Sequence, residues 1–220
     1  MSLNVKLNNG DKICIGTPKG KMLGVMSIST SKYDNPNCQK MMQSSKENIC
    51  KHCFVDRSVK MYPDFKPSLE RNHKALTTRL LTKDDILKFE TFKNVKYVRF
   101  EAFGDLCNVT HLENYVNIAR QYKDTNFALW TKHFKILLEY FKSGKKFPKN
   151  LLLVLSSPYL NKELPTLFVD LIKKYNKNTI TFTVVNDKKN PNINCGKRRC
   201  IDCLNCYKSG KRKDVIELIK

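Results

Sequence analysis

From residue 95 to residue 185 the chain alternates short apolar runs with amphipathic stretches, and this alternation restricts the fold more than any other feature of the sequence. VKYVRFEAF (95–103), rich in Val, Tyr and Phe, reads as a strand. LENYVNIARQY (112–122) places Leu112, Tyr115, Val116 and Ala119 at helical spacing. NFALWT (126–131) is again strand-like, and HFKILLEYFKSG (133–144) is a helix stopped by a glycine. NLLLVLSS (150–157) is the continuous apolar run of a strand buried on both faces. LPTLFVDLIKKY (164–175) reads as a helix with Pro165 in its first turn, and TITFTVV (179–185) as a β-branched strand. Upstream, MLGVMSI (22–28) predicts an earlier strand, and residues 67–87 a helix with Ser68 as N-cap. Short connections between such units imply parallel strands and right-handed crossovers, in an open sheet or in a full or partial barrel. Five β/α steps are visible, whereas a complete TIM barrel needs eight.

In parallel α/β architectures the working residues gather where strands end and helices begin. After the first strand comes the segment holding Cys38, Cys50 and Cys53. The second strand leads into Glu101-Ala-Phe-Gly-Asp105, where Gly104 permits close backbone approach. The third is followed by Trp130-Thr131-Lys132, the fourth by Ser156-Ser157-Pro158 and the fifth by Asn186-Asp187. All five sets are expected on one rim, with Asp105 placed to accept from an ammonium group and Lys132 to donate to a carboxylate or phosphate. Each has an ordinary alternative: a turn at Gly104-Asp105, a solvated Lys132, a strand end at Ser156, a packed Trp130. Cys14, in KICIGT, and Cys107 read as small buried residues.

The other seven cysteines form two groups. Cys38, Cys50 and Cys53 read C-x11-C-x2-C, three thiolates that leave a coordination position open. Cys195, Cys200, Cys203 and Cys206 read C-x4-C-x2-C-x2-C, enough to close a zinc or iron–sulfur site without outside ligands. His52 is the one histidine near a group, but its adjacency to Cys53 makes joint chelation awkward. The N-terminal MSLNVKLNNGDK lacks the apolar stretch of a signal peptide, and no 18-residue apolar run is present. The expectation is a cytoplasmic protein, where cysteine clusters bind metal more often than they form disulfides.

The formal net charge is +21, from 41 basic and 20 acidic residues, a surface that attracts polyanions. Only eight of the basic residues are Arg, the residue that phosphate and base readers favour, so nucleic-acid or nucleotide contact is an expectation of charge alone. The sequence divides into residues 1–186, which carry the β/α steps, and residues 187–220, a Lys-, Asn- and Cys-rich tail.

Several of these residues carry a resemblance. Cys50-Lys-His-Cys53-Phe54, Arg71-Asn72, Phe100-Glu-Ala-Phe-Gly104-Asp105, Thr131-Lys132 and Cys203-Leu-Asn-Cys206-Tyr207, in that order, resemble the phage "gene product 88" family, itself similar to radical S-adenosylmethionine (SAM) proteins. The resemblance covers most of the chain. It implies a parallel β/α partial (incomplete TIM-type) barrel with a Cys-rich tail. It also implies a [4Fe–4S] cluster on Cys38, Cys50 and Cys53, with SAM chelated at the cluster's fourth iron. Glu101, Gly104 and Asp105 then stand where the SAM amino group is contacted, and Lys132, Ser156 and Asn186 face SAM or substrate. The first spacer departs from the usual C-x3-C-x2-C of radical SAM proteins.

Three readings follow. The first is a radical SAM-like iron–sulfur enzyme using Asp105 and Lys132 at its site, with a second, fully ligated centre on the tail. The second is a non-catalytic zinc protein that binds nucleic acid through its basic surface. The third is a phage protein that engages a host factor, with structural metals only. The metal separates them: a brown iron–sulfur protein supports the first, and a colourless zinc protein the second.

Overall fold

The computed structural model describes residues 2–44, 47–208 and 213–219. The chain opens with a hairpin, β1 (Ser2–Lys6) and β2 (Lys12–Gly16), and then β3 (Met26–Ile28). Four helices follow: α1 (Pro36–Gln43), α2 (Val55–Met61), α3 (Phe65–Thr77) and α4 (Lys83–Leu87). The alternating part comprises β4 (Tyr97–Phe100), α5 (Val109–Gln121), β5 (Asn126–Thr131), α6 (Phe134–Lys142), β6 (Leu151–Ser156), α7 (Thr166–Tyr175) and β7 (Thr179–Val185). The tail supplies the short α8 (Cys200–Cys203) and β8 (Val215–Leu218).

All eight strands form one sheet in sequential order, β1 to β8. β1–β2 and β2–β3 are antiparallel, whereas β3 to β8 run parallel. A sequential parallel order built from right-handed crossovers places the connecting helices on one face. The core follows that division. Leu151, Leu153 and Leu155 of β6 pack with Phe100, Phe127 and Leu129 against Ala75 and Leu76 of α3, Leu112, Tyr115 and Val116 of α5, and Ile136 and Leu137 of α6. The intervening Leu152 and Val154 point to the opposite face, where they meet Ile180, Phe182 and Val215. Burial on both sides is why every residue of β6 is apolar up to Ser156.

The expected strands at 126–131 and 179–185 coincide with β5 and β7, and the others are shorter than their apolar runs. Details of the expected helices change. Residues 67–87 form two helices, and Ser68 lies within the first of them with its hydroxyl donating to Phe65 O at 2.6 Å. The cap in that region is Thr82, whose hydroxyl accepts from Asp85 N while Asp85 accepts from Thr82 N. Pro165 is the N-cap of α7 and precedes its first turn. The division at residue 186 falls within the sheet, because β8 pairs with β7 in register Phe182–Val215 to Val185–Leu218. Among the described residues no helix is long and apolar enough to cross a membrane.

Candidate functional site

The three-cysteine segment lies between β3 and α2, and buried asparagines fasten it to the ends of two later strands. Asn35 caps α1, with Pro36 at N1, by accepting from Asn37 N at 3.0 Å and Cys38 N at 3.4 Å. Its amide donates to the carbonyls of Asp105 at 2.8 Å and Leu106 at 3.2 Å, so the first turn carrying Cys38 is tied to the loop after β4. Asn48 accepts from Cys50 N at 2.9 Å. Beside it, Ile49 N donates to Pro158 O at 2.9 Å and Leu160 N to Glu47 O at 3.0 Å, which ties the Cys50 turn to the loop after β6. A third tether holds Cys53: Asp56, three residues on in α2, accepts from Lys32 Nζ at 2.6 Å and from Tyr33 OH at 2.7 Å.

The loop after β4 is built around a buried carboxylate and two left-handed residues. Glu101 (φ 58°) accepts from Thr30 N at 3.2 Å, Thr30 Oγ1 at 3.1 Å and Tyr115 OH at 2.6 Å, with His111 Nε2 at 3.3 Å. His111 Nδ1 accepts from Cys107 N at 3.3 Å, which turns Nε2 toward Glu101. Ala102 N and Phe103 N both donate to Ser29 Oγ at the end of β3. Gly104 adopts φ 95°, and a Cβ there would lie 2.3 Å from Thr30 O and 2.8 Å from Glu101 Oε2. The close approach expected of Gly104 is therefore made, to backbone and carboxylate of its own chain.

Asp105 is buried and its carboxylate is engaged. Oδ1 accepts from Leu106 N at 2.7 Å and from Thr131 Oγ1 at 2.5 Å, and Oδ2 accepts from Lys132 N at 2.9 Å. These bonds join the β4 loop to the end of β5 and fix the backbone of Lys132. Asp105, the expected ammonium acceptor, thus also positions the Lys132 backbone. Burial pushes the pKa of its carboxyl up, and Lys132 and the hydrogen bonds act in the opposite direction.

The thiols share this neighbourhood. Burial pushes the Cys38 thiol well up, reinforced by Asp105, Cys50 and Glu101 and opposed by Lys132. Burial likewise raises Cys50, opposed by Lys132 and Lys32 and reinforced by Asp105 and Cys53. Lys32, only 1% exposed, supplies a cation inside the protein beside these thiols. Next to Cys53, Phe103 packs against exposed Phe54 at 5.3 Å and Phe65 at 4.8 Å, forming an aromatic border. As a donor set, three thiols with Lys132 and Lys32 near enough to act on Cys50 suit an anionic thiolate–metal group. Among the described residues no three His, Cys, Asp or Glu side chains stand in ligating geometry, and all nine cysteines are free.

The other expected rim residues are placed as follows. Ser156 is buried at the last position of β6, paired with Phe182. Asn186 is exposed beyond β7, its N–H bound to Asn161 Oδ1 at 2.9 Å. Trp130 packs against the tail's face of the sheet, with Arg99 Cζ 3.9 Å from its ring centre. Cys14 is half-buried, and its backbone N–H and C=O are both held by Asn72, which also donates to Ser29 O. Asn72 of the Arg-Asn pair therefore stitches α3 to β2 and β3. Lys32, Asn35, Asn48, His111 and Tyr115 did not stand out from the sequence alone. Asn35-Pro36 before a helical turn is the one local signal among them.

The four tail cysteines lie on the sheet face opposite the helices. Cys195 and Cys206 border the cluster of Leu152, Val154, Ile180, Phe182 and Val215. Cys200, Ile201 and Leu204 border that of Val25, Tyr97, Ala128 and Tyr207. Burial raises the Cys206 thiol to about 12, with Arg99 lowering it and Cys195, Cys200 and Cys203 adding to the rise.

Among curated proteins no match is found, and no solved structure matches either. The family model described as gene product 88 matches residues 9–215, a span that takes in the three-cysteine segment, the Glu101–Asp105 loop and all four tail cysteines, and the chain belongs to that family.

Proposed function

We propose that this protein is a radical SAM-like iron–sulfur protein whose sequential sheet forms a partial β/α barrel, with an enzymatic site at the C-terminal ends of its parallel strands. The observation that carries this reading is that Asn35 ties the Cys38 turn to the Asp105 carbonyl while the Asp105 carboxylate holds Lys132 N, so that three separate segments meet at the strand ends. That is the side of a parallel sheet where ligand sites are built. Cys38, Cys50 and Cys53 would hold a [4Fe–4S] cluster. When bound, the cluster and SAM supply one-electron chemistry that ends in hydrogen abstraction from a substrate.

The chain's own groups have defined tasks. Lys32 and Lys132 offset the negative charge of the thiolates and of a ligand carboxylate. Asp105 fixes the backbone of Lys132. Glu101, held by Thr30, Tyr115 and His111, shapes the loop whose Gly104 approaches β3's end. Phe54 and Phe103 offer an apolar wall that limits water.

Anaerobic reconstitution with iron and sulfide, followed by calorimetric titration of SAM, tests the reading. The expected result is a brown protein with a broad visible band that binds SAM, and loss of SAM binding in the Cys38→Ser/Cys50→Ser/Cys53→Ser variant. A colourless protein with stoichiometric zinc and no SAM binding would overturn it in favour of a zinc protein.

A further inference from the structure

The tail brings Cys195, Cys203 and Cys206 to the lining of one cavity, with Cys200 at the start of α8, beside cations that do not belong to the tail. Lys21 Nζ lies 3.1 Å from Cys195 Sγ and 2.7 Å from Glu217 Oε1. Arg99 of β4 lies on the same face, its Cζ 3.9 Å from the Trp130 ring centre. A cavity of about 180 Å³ is lined by Cys195, Cys203 and Cys206, with Arg198 and Lys213 at its border. Two buried donors on the sheet beneath the tail, Arg99 Nε and Trp130 Nε1, have no hydrogen-bond partner. Buried unpaired donors are uncommon in native proteins and call for an explanation.

We infer that the four tail thiols form a tetrathiolate metal centre built onto the helix-free face of the sheet, with Lys21 and Arg99 as its counter-charges. Four thiolates around a divalent ion, or around a [4Fe–4S]²⁺ core, carry a net charge of −2 in either case. Lys21, shared with Glu217, and Arg99 offset that charge together with Arg198 and Lys213 at the border. Local geometry serves the same end. Cys200–Cys203 is a single helical turn, and Leu204, left-handed at φ 55°, reverses the chain to return Cys206. A non-glycine residue in that region carries a cost that a closed ligand loop offsets. On ligation the thiolates close to about 2.3 Å from the metal.

The site does not depend on the three-cysteine rim, so the two are tested separately. Trp130 is the one tryptophan in the chain and sits against Cys206 through the shared core. Metal content, by plasma mass spectrometry, and Trp130 emission are measured on the full-length protein, for wild type, Cys203→Ser and Lys21→Met. Cys203 is the exposed member of the four, so serine there disturbs packing least. Cys203→Ser is expected to lose one centre's worth of metal that Cys38→Ser/Cys53→Ser retains. Chelation is expected to change Trp130 emission in wild type and leave it unchanged in Cys203→Ser. Lys21→Met is expected to keep the metal but release it to a chelator roughly 10-fold faster, as supporting groups around a metal typically do when removed. Zinc without colour, or iron with sulfide and visible absorption, each satisfies the proposal and identifies the metal. If Cys203→Ser fails to fold, the Lys21→Met release rate decides. Unchanged metal content in folded Cys203→Ser, or wild-type release kinetics in Lys21→Met, would overturn it.

Discussion

The side-chain amide of Asn35 spans the carbonyls of Asp105 and Leu106, so the helix turn carrying Cys38 is bolted to a loop seventy residues away. One oxygen of the same side chain caps that turn. A single fully buried residue thus sets both the helix start and its place on the sheet edge. Asn35→Ala removes the cap, worth about 1 kcal/mol, and one of two partners from each carbonyl, since Asp105 O also faces Thr30 Oγ1 at 3.5 Å and Leu106 O faces His133 Nδ1 at 3.0 Å. The expected loss is about 2 kcal/mol in urea unfolding, together with faster maleimide labelling of Cys38 in the native protein. A variant of wild-type stability and labelling rate would remove Asn35 from this role.

Gly104 tests the tightness of the β4 loop. Both its φ of 95° and the 2.3 Å approach of Thr30 O oppose a side chain. Gly104→Ala is expected to cost about 3 kcal/mol or more, because a backbone carbonyl cannot swing aside as a side chain can. Gly10 has a similar φ of 87° with nothing within 4 Å of its added Cβ. Gly10→Ala should therefore cost only about 1 kcal/mol, the conformational part alone. Equal losses in thermal unfolding of the two variants would show that contact with Thr30 is unimportant.

Asp85 makes the protein acid-sensitive. Burial alone would raise its carboxyl, but bonds from Asn8 N at 2.8 Å, Arg79 at 2.8 Å and Thr82 outweigh it, and the group falls from 3.8 to about 2. A depressed folded value means the contribution is complete above about pH 4 and is lost as pH falls toward 2. The shift corresponds to about 2 kcal/mol. Urea unfolding from pH 6 to pH 2 should show this loss in wild type, and Asp85→Asn should flatten that part of the profile.

Asn72 holds α3 against β2 and β3 through three bonds: from Cys14 N at 2.6 Å, and to Cys14 O and Ser29 O, both at 2.9 Å. Asn72→Ala leaves those backbone groups without their partner and is expected to cost about 2–4 kcal/mol in urea unfolding. Hydrogen exchange should locate the loss in β2 and α3. Protection unchanged at Cys14 would show that another group takes over.

The residues from 95 to 185 specified their own elements because each strand and helix there is coded by local periodicity, apolar on the face that meets the sheet or the helices. The fully apolar β6 also announced its burial on both faces. The cysteine groups and the glycine before Asp105 were equally legible, since ligand-type residues and sharp turns are written locally. What needed the tertiary structure were relations between distant segments. No periodicity shows that Asn35 meets Asp105, that Asp105 spends its carboxylate on Thr131 and Lys132, or that Lys32 is buried beside Cys50. Ser68 looked like a cap because its hydroxyl could have served one, yet the helix begins earlier and the hydroxyl bonds back into it. The tail gave its four thiols in sequence. Its position on the sheet, beside Lys21 and over Arg99 and Trp130, came only from β8 pairing with β7 and from apolar contacts on the helix-free face. Local patterns fix what an element is. Which partner satisfies a buried polar group is settled only when the chain packs, because that choice depends on every other group competing for the same site.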